Sequence, residues 1–171
     1  MTTTTSEASS TGLLAKPGKH LTFLLGHESY GLPVLKVREI IRLVNITPVP
    51  RMPSYIRGVV NLRGKLVPVM DLRIRFELAS REITESTCIV VAQVKSASNG
   101  ANHMGFIVDG VEEVLNLTQD CLEKTPDFGL QLATEYLLGM ANVKGKVIAL
   151  LDIDQVVDKG SLEKMSELAA A

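Results

Sequence analysis

The sequence predicts a mainly β protein, built from two small five-stranded barrels that are related by an internal repeat. The first observation is a hairpin pattern at residues 55–72, where Val-rich runs flank a short polar turn. The second is the return of this pattern, at one fixed offset, at residues 136–153. The third is the spacing of the other apolar runs, which gives each copy about five short strands, enough for a small sheet to curl and remove its edges. The repeat aligns four glycines, which we interpret as hairpin glycines: Gly58 with Gly139 and Gly64 with Gly145.

The chain opens with a stretch rich in Thr and Ser. Residues 1–18 are predicted to be a disordered tail, because few large apolar groups offset the entropy of ordering them. Apolar runs at residues 21–25 and 30–35 are separated by a polar turn, which predicts a β-hairpin. Residues 37–41 carry apolar side chains at positions i, i+3 and i+4, and this spacing predicts a single helical turn. A short strand at residues 44–47 and a proline-rich loop then lead to the repeated hairpin.

The repeated hairpin is predicted to reverse at residues 61–65, where Gly64 supplies the positive φ that a tight turn needs. Asp71 ends its second arm, and Asp152 ends the second arm of the other copy. Each is interpreted as a cap for free backbone N–H groups at the start of the next turn. A brief turn or helix at residues 72–76 is predicted to follow the first copy.

The second copy repeats these elements. Residues 88–94 and 105–108 predict a strand pair around a Ser/Asn/Gly loop at residues 96–102. Residues 111–115 repeat the predicted helical turn, at a second fixed offset that also aligns Gly105 with Gly31. After the second hairpin, residues 159–171 predict a C-terminal helix with one apolar face, formed by Leu162, Met165 and Leu168.

The link before the second hairpin is longer than its counterpart, since it covers positions 116–135 where the first copy has only positions 42–54. The insertion carries Phe128, an aromatic ring that the first copy lacks. The two subdomains are predicted at roughly 19–84 and 85–158, and the sequence leaves open whether their strands interdigitate. Two duplicated units must meet along a seam, so a groove between them is expected, and such grooves are favoured binding places.

Composition excludes several classes of protein. The net charge of −1 gives nucleic acid no reason to bind, and no apolar run approaches the roughly 18–20 residues of a membrane span. The N-terminus lacks the order of a secretory signal, so a cytosolic protein is predicted. Cys88 and Cys121 are too few for a disulfide scaffold and are interpreted as reduced thiols.

The residues that could support catalysis have better structural interpretations. The three histidines show no metal-ligand spacing and are interpreted as exposed loop residues: His20, His27 and His103. Asp71 and Asp152 could form an acid–base pair, but capping is the favoured role. The paired glycines are not followed by the Lys-Ser/Thr of a phosphate-binding loop. We therefore predict no enzyme activity, no catalytic residue, no cofactor and no metal.

Binding residues are sought where the two copies differ, since symmetry explains only what they share. Copy one departs from copy two at Arg57 and Pro68, and copy two has the Phe128 link. Arg63, at the hairpin tip, is either a solvated turn residue or a partner contact. The apolar 37–41 turn is either core or, beside a groove with Glu39 and Arg63, a docking site for an amphipathic partner helix.

Several of these segments, in this order, resemble the chemotaxis coupling protein family CheW. The resemblance runs from about residue 21 to residue 157 and leaves only the tails unmatched. Its strongest parts are residues 35–41, 55–72, 105–110 and 126–128.

This resemblance implies two SH3-like barrels in a non-enzymatic adaptor that bridges the cytoplasmic tips of chemoreceptors to the histidine kinase CheA. It implies recruitment to membrane-bound receptor arrays, contact with the regulatory domain of the kinase and contact with other CheW-like domains in rings. The implied receptor-binding residues are Val37, Glu39, Ile40 and Arg63, and the implied kinase-binding residues are Leu66 and Phe128. Because the sequence ends at Ala171, soon after Val157, a stand-alone adaptor is expected instead of a kinase or a protein with a receiver domain.

Two other functions remain as alternatives. A nucleic-acid binder would use residues 51–75, where six cationic side chains face one Asp, but it would also need aromatic platforms beyond Tyr55 and Phe76. An enzyme would place Asp71 or Asp152 in the groove, although the sequence pairs neither with a reactive partner.

Overall fold

The computed structural model describes residues 15–78, 82–96, 100–124 and 136–157. Most of these residues lie in strands. The strands are β1 (Gly18–Leu25), β2 (Glu28–Pro33), β3 (Val37–Arg42), β4 (Ile56–Leu62), β5 (Lys65–Asp71), β6 (Cys88–Ser96), β7 (Gly100–Val108), β8 (Gly110–Leu117), β9 (Leu122–Glu123), β10 (Leu137–Val143) and β11 (Lys146–Leu151). One-turn helices span Leu72–Arg75 and Ile153–Val156, and 3-10 turns span Val34–Lys36 and Gln119–Cys121.

The strands form two sheets, which confirms the predicted mainly β fold with short helical turns. Sheet A has the order β8-β1-β2-β11-β10-β9, and sheet B has the order β3-β6-β7-β5-β4. The first hairpin of each copy lies in the sheet that the other copy completes: β1 and β2 join β8 to β11, while β6 and β7 join β3 to β5. Neither sheet is therefore built from one half of the chain.

The two sheets repeat one strand register. In sheet B, the parallel pair of β5 with β7 sets Val69 opposite Gly105. In sheet A, the parallel pair of β11 with β2 sets Leu150 opposite Gly31. The two fixed offsets seen in the sequence relate Val69 to Leu150 and Gly31 to Gly105, so the internal repeat is a repeat of the three-dimensional pairing as well.

Each sheet curls so that its ends approach. In sheet B, the segment after β3 returns to the opposite edge, where Thr47 bridges Val59 of β4. In sheet A, β8 leads through the Gln119–Cys121 turn directly into β9, which pairs with β10 at the other edge. The short β9 adds a sixth strand to this sheet. Curling of this kind removes open edges that would otherwise pair with other chains.

Among the described residues, the curled sheets enclose three apolar clusters. A central cluster between the sheets contains Phe23, Met70 and Phe106. A second cluster fills sheet A around Ile148 and a third fills sheet B around Ile107. Each sheet thus has its own small core, and the largest cluster joins the two.

The hairpin predictions are confirmed by the structure. β4 and β5 are joined by Arg63 and Gly64, with φ of 51° and 87°, and β10 and β11 are joined by Lys144 and Gly145, with φ of 52° and 84°. Positive φ at both central residues is the turn geometry that matches the twist of hairpin strands. The prediction of turn glycines is wrong for Gly58 and Gly139, which lie at bulges within β4 and β10, and at Gly58 a Cβ would lie 2.0 Å from O of Thr47.

The predicted helical turn at residues 37–41 is wrong, because this segment is strand β3, and its repeat at residues 111–115 lies in strand β8. In β3 the residues alternate between half-buried and exposed, with Glu39 and Ile41 on one face and Ile40 on the other. Pairing with β6 supplies the hydrogen bonds of this segment, and Val and Ile suit a pleated surface. The helical turn lies just before β3, at Val34–Lys36.

Other sequence predictions have mixed outcomes. Residues 44–47 form only the single bridge at Thr47, and the predicted loop at residues 96–102 is shorter, since β7 begins at Gly100. The predictions for residues 1–14, for Phe128 and for the C-terminal helix lie outside the described residues. Ala15, within the predicted tail, is buried, and its N–H donates to O of Leu138 at 3.0 Å.

Candidate functional site

The structure brings together Glu39 and Arg63, which lie far apart in the sequence. Glu39 lies on the edge strand β3, and Arg63 lies at the tip of the β4–β5 turn at the other edge of sheet B. Curling of the sheet lets the Arg63 guanidinium donate to Glu39 Oε2 as an ion pair. The Arg63 side chain is 79% exposed, so much of its guanidinium surface faces solvent.

The two apolar candidates on β3 face different ways. Val37 is half-buried and packs against the central cluster. Ile40 is 45% exposed and lies on the opposite face from Glu39, with Arg38 and Arg42. Val37 therefore faces the central cluster, Glu39 and Arg63 pair where the edges of sheet B meet, and Ile40 belongs to the outer surface of β3.

Leu66, the candidate for kinase contact, lies on β5 next to the hairpin turn and is 54% exposed. Its neighbour Val67 points into the sheet B core. The other kinase candidate, Phe128, lies outside the described residues, so the structure does not test whether the two meet.

Exposure alone does not distinguish the copies. Leu66 and its repeat equivalent Val147 are equally exposed, and Ile40 is matched by the exposed Val114. The charges do differ. In copy two, Lys146 Nζ donates to Glu112 Oε2 at 2.8 Å, and Ser29 Oγ donates to Glu112 Oε1 at 2.8 Å. The equivalent positions in copy one are Lys65 and Arg38, two cations that cannot pair with each other.

The contacts of Glu112 change its acidity. Partial burial raises the pKa of this carboxyl. The hydrogen bonds from Lys146 and Ser29 and the charge of Lys146 together lower the pKa by more than burial raises it. The resulting pKa lies below the ordinary value for Glu. Glu112 is therefore held as a carboxylate that ties β8 to β11 and β2.

The seam between the sheets carries a cation between two aromatic rings. The Arg75 guanidinium carbon lies 4.8 Å from the ring centroid of Tyr55 and 4.9 Å from that of Tyr136. An aromatic row continues from Tyr136 through Phe76 and Tyr30 to Phe23, with ring centroids 5.6, 6.1 and 6.2 Å apart. Cation–π contacts on both sides make Arg75 a direct link between the two hairpins.

A buried ionic network accounts for Asp71. Its Oδ2 accepts from Arg73 Nη2 at 2.9 Å and from Arg57 at 3.3 Å, and its Oδ1 accepts from the Arg73 N–H at 2.9 Å. Arg73 also donates to Asp109 at 3.2 Å, and Asp109 accepts from the N–H of Gly26 at 2.7 Å. The hydrogen bond with Asp71, opposed in part by burial, raises the pKa of Arg73. The predicted cap is confirmed for Asp71, and the network occupies its oxygens with structural contacts.

The corresponding site in copy two is built differently. The predicted cap at Asp152 is wrong, since its side chain makes no capping hydrogen bond and only its backbone oxygen accepts. Instead, Asp154, which stands where copy one has Arg73, accepts from Lys36 Nζ at 3.1 Å and from the Lys95 N–H at 2.8 Å. The charges at this position are reversed between the copies.

The histidine prediction is wrong for His20, which lies in β1 and is 3% exposed, with Nδ1 3.0 Å from O of Gly18. His27 is an exposed turn residue as predicted, whereas His103 is exposed but lies in strand β7 and not in a loop. Within the described ranges, no group of three or more His, Cys, Asp or Glu side chains could hold a metal ion. Burial raises the pKa of the half-buried Cys88 thiol, which favours its neutral form.

None of the helices in the described part of the chain has the length and apolar content needed to cross a membrane.

Sequence reasoning missed Leu35, whose side chain is 87% exposed. It also missed the bond between Lys36 and Asp154 beside it. The only sequence signal for Leu35 is its place between Val34 and the cation Lys36. The apolar pattern around it does not distinguish an exposed residue from a core residue.

Comparisons with known proteins find relatives in sequence and in fold. The family model of the CheW-like domain matches residues 19–161. A chemotaxis protein CheW from Klebsiella aerogenes is 36% identical over 149 residues, covering 87% of this chain and 87% of the relative. One from Rhizobium meliloti is 31% identical over 151 residues, covering 84% and 94%. The crystal structure of the scaffolding protein TtCheW from Thermoanaerobacter tengcongensis superposes with a TM-score of 0.74 at 32% identity, covering 84% of this chain and 96% of that one.

Proposed function

The chain belongs to the CheW family, and on that premise we propose that it is a non-enzymatic adaptor coupling the cytoplasmic tips of chemoreceptors to the histidine kinase CheA. The observation that carries the proposal is the family match over residues 19–161, with relatives named as chemotaxis proteins and a structural neighbour named as a scaffolding protein. Asp71, Arg73 and Asp109 are bonded to one another within the fold, which supports a role other than catalysis for this carboxylate pair.

The receptor is proposed to dock beside the edge strand of sheet B. Val37 on this strand offers a half-buried apolar surface. The ion pair of Glu39 with Arg63 adds one negative and one positive side chain at the joined edges of the sheet. A helical receptor tip presents apolar side chains on one face with charged residues alongside, and such a face suits this mixed surface. Ile40, on the outer face of the same strand, is proposed to extend the contact.

The kinase is proposed to dock on the outer wall of sheet B, with Leu66 as an apolar anchor and Phe128 as a second contact. Leu66 is 54% exposed, so a partner that covers it would remove apolar surface from water, which favours binding. The regulatory domain of the kinase is proposed as the partner. Other CheW-like domains are proposed to use related surfaces in rings.

The protein is proposed to act in the cytoplasm and to be recruited to receptor arrays at the membrane. Such recruitment needs no membrane segment of its own, because several weak contacts made at once give a stable assembly. Within one assembly, the receptor and kinase surfaces must be usable at the same time.

The test is a three-component capture. An immobilised receptor fragment is incubated with the kinase, with and without this protein, and the retained kinase is measured. The proposal predicts that kinase is retained only when this protein is present. Equal retention in both cases, or binding of this protein to neither partner, contradicts it.

A further inference from the structure

Sheet A holds a carboxylate at a position where sheet B has a cation. In sheet A, Glu112 accepts from Lys146 Nζ at 2.8 Å and from Ser29 Oγ at 2.8 Å. Glu112 is the residue that a bulge of β8 leaves without a partner on β1, since the register passes from Val111 to Glu113 at this point. A bulge re-aims a side chain, and here the carboxylate reaches β2 and β11.

Sheet B repeats this bulge with a residue of opposite charge. In β3 the register with β6 passes from Val37 to Glu39 and leaves out Arg38. The fixed offset of the strand repeat relates Arg38 to Glu112. The Arg38 side chain therefore leaves β3 at the place from which the Glu112 side chain leaves β8.

The two residues that hold Glu112 also have counterparts in copy one. Lys65 is the equivalent of Lys146, and His103 is the equivalent of Ser29. The parallel pairs of the two sheets share one register, so Lys65 and His103 keep the same relation in sheet B as their equivalents in sheet A. Even a neutral imidazole has one N–H donor, as the hydroxyl of Ser29 has one O–H. Copy one thus keeps both hydrogen-bond donors and lacks the carboxylate.

These basic groups have no acidic partner in the described chain. Arg38, Lys65 and His103 are exposed, and none of their side chains makes an ion pair or a hydrogen bond with another described residue. The nearby carboxylate of Glu39 is already paired with Arg63. Cations held close together repel one another, and a local cost of this kind is typical of a site kept for binding.

We propose that Arg38, Lys65 and His103 bind a carboxylate of the receptor tip, as copy two binds a carboxylate of its own. The chemistry of the site follows from this chain, while the identity of the partner rests on the proposed function. Arg38 adjoins Glu39, and Lys65 follows Arg63 by two residues, so the site borders the surface proposed for the receptor. A guanidinium and an ammonium together can engage both oxygens of one carboxylate. A receptor helix with Asp or Glu beside its apolar face satisfies the site.

Urea unfolding tests the geometry without a partner. Arg38→Glu gives copy one the carboxylate of copy two, so it should pair with Lys65 and raise the midpoint of unfolding. In a Lys65→Met background the same substitution should bring a smaller rise or none. Arg42→Glu is the matched control, because it makes the same charge change at another exposed position of β3, and its effect should be the same in both backgrounds. Equal effects of Arg38→Glu in the two backgrounds overturn the placement of Arg38 beside Lys65.

A hexaglutamate peptide is the probe for an external carboxylate. At low salt, its addition should shift the NMR signals of the His103 ring in a saturable manner. Arg38→Glu should weaken this binding at least about tenfold, and Arg42→Glu less than about twofold. Equal weakening in the two variants overturns the site. Tighter binding of inorganic phosphate than of the peptide overturns the assignment to a carboxylate.

Binding to a receptor fragment tests the partner. Arg38→Glu should weaken it at least about tenfold, while Arg42→Glu should change it less than about twofold. If the peptide binds at the site but the two variants bind the fragment equally well, the receptor is overturned as the source of the carboxylate and the proposed function stands. If the fragment does not bind the original chain, the receptor assignment falls with the proposed function, and the unfolding and peptide results still decide the carboxylate site.

Discussion

Tyr55 and Tyr136, equivalent residues of the two copies, lie on the same guanidinium group. The Arg75 carbon between them is 4.8 and 4.9 Å from the two ring centroids. Arg75 Nε also donates to O of Val156 at 2.9 Å, across the seam. In copy two, the residue equivalent to Arg75 is Val156 itself. The Arg75 guanidinium thus contacts both copies, and the seam lacks the equivalence that the parallel strand pairs of the two sheets keep.

Replacing Arg75 should loosen the seam. Arg75→Ala removes two cation–π contacts and one hydrogen bond, with an expected loss of about 2–3 kcal/mol in the free energy of unfolding. Arg75→Lys keeps the charge and should lose roughly half as much. Urea unfolding followed by circular dichroism measures both. An Arg75→Ala protein as stable as the original would show that the stacked cation is incidental.

The buried network predicts an asymmetry between two aligned carboxylates. Asp71→Asn leaves the buried Arg73 without its main counter-charge and should cost about 3–5 kcal/mol. Asp152→Asn, the matched change in copy two, removes no capping bond and should cost under about 0.5 kcal/mol. Chemical denaturation of the two variants decides the matter. Similar losses would mean that the network contributes little beyond the common turn.

The lowered pKa of Glu112 predicts a pH dependence. A carboxyl whose folded pKa is below its unfolded value stabilises the fold fully above the unfolded value, about 4.3 for Glu, and this contribution is lost as the pH falls through the folded value. Glu112→Gln should therefore be less stable than the original at pH 7, by under about 1 kcal/mol, and the difference should disappear in acid. Unfolding at a series of pH values measures it. In a Lys146→Met background the difference should shrink, and an unchanged profile there would exclude Lys146 as the cause.

The kinase surface can be tested with a pair of equally exposed residues. Leu66→Asp should weaken kinase binding by about tenfold or more, because it places a charge in an apolar anchor position. Val147→Asp is the matched control, being equally exposed at the same place in copy two, and should leave kinase binding unchanged. Both should alter stability by less than about 0.5 kcal/mol. Titration calorimetry with the kinase regulatory domain measures the affinities. Equal losses of affinity in the two variants would contradict a specific kinase contact at Leu66 of sheet B.

The sequence predicted the hairpins well because their signals are local. The two turns place Gly64 and Gly145 at positive φ, and Asn61 and Asn142 each accept from the glycine N–H, so every requirement of the turn lies within its own short segment. The repeat itself was equally readable, because matched residues recur at fixed offsets.

The exchange of hairpins between sheets was not readable from the sequence. A repeat shows that the two units are alike. It does not show whether β2 pairs with β5 of its own copy or, as observed, with β11 of the other copy, because both strands have similar residues. The error at β3 has a related cause. In so short a segment, positions i, i+3 and i+4 fit a helix, and only the pairing with β6 and the bulge near Val37 decide for a strand. These are non-local contacts.

The candidate site was predicted in part. The pair of Glu39 with Arg63 was anticipated only as proximity, since the curl that brings the edges of sheet B together is a property of the whole sheet. Aligning the two copies shows that Arg73 and Asp154 carry opposite charges. Their partners, Asp109 and Lys36, lie outside the repeated hairpin, so the alignment does not predict these ion pairs.

The most direct test of the adaptor account is kinase autophosphorylation in the presence of receptor, with the original protein, Arg63→Glu and Lys144→Glu. Arg63→Glu sets a negative charge against Glu39, on an exposed side chain where the fold should tolerate it, and Lys144→Glu is the same change at the equivalent turn of copy two. We predict that the original protein and Lys144→Glu raise autophosphorylation, while Arg63→Glu does not and no longer binds receptor, although it still binds kinase. No stimulation by the original protein, or equal loss in both variants, would contradict the account.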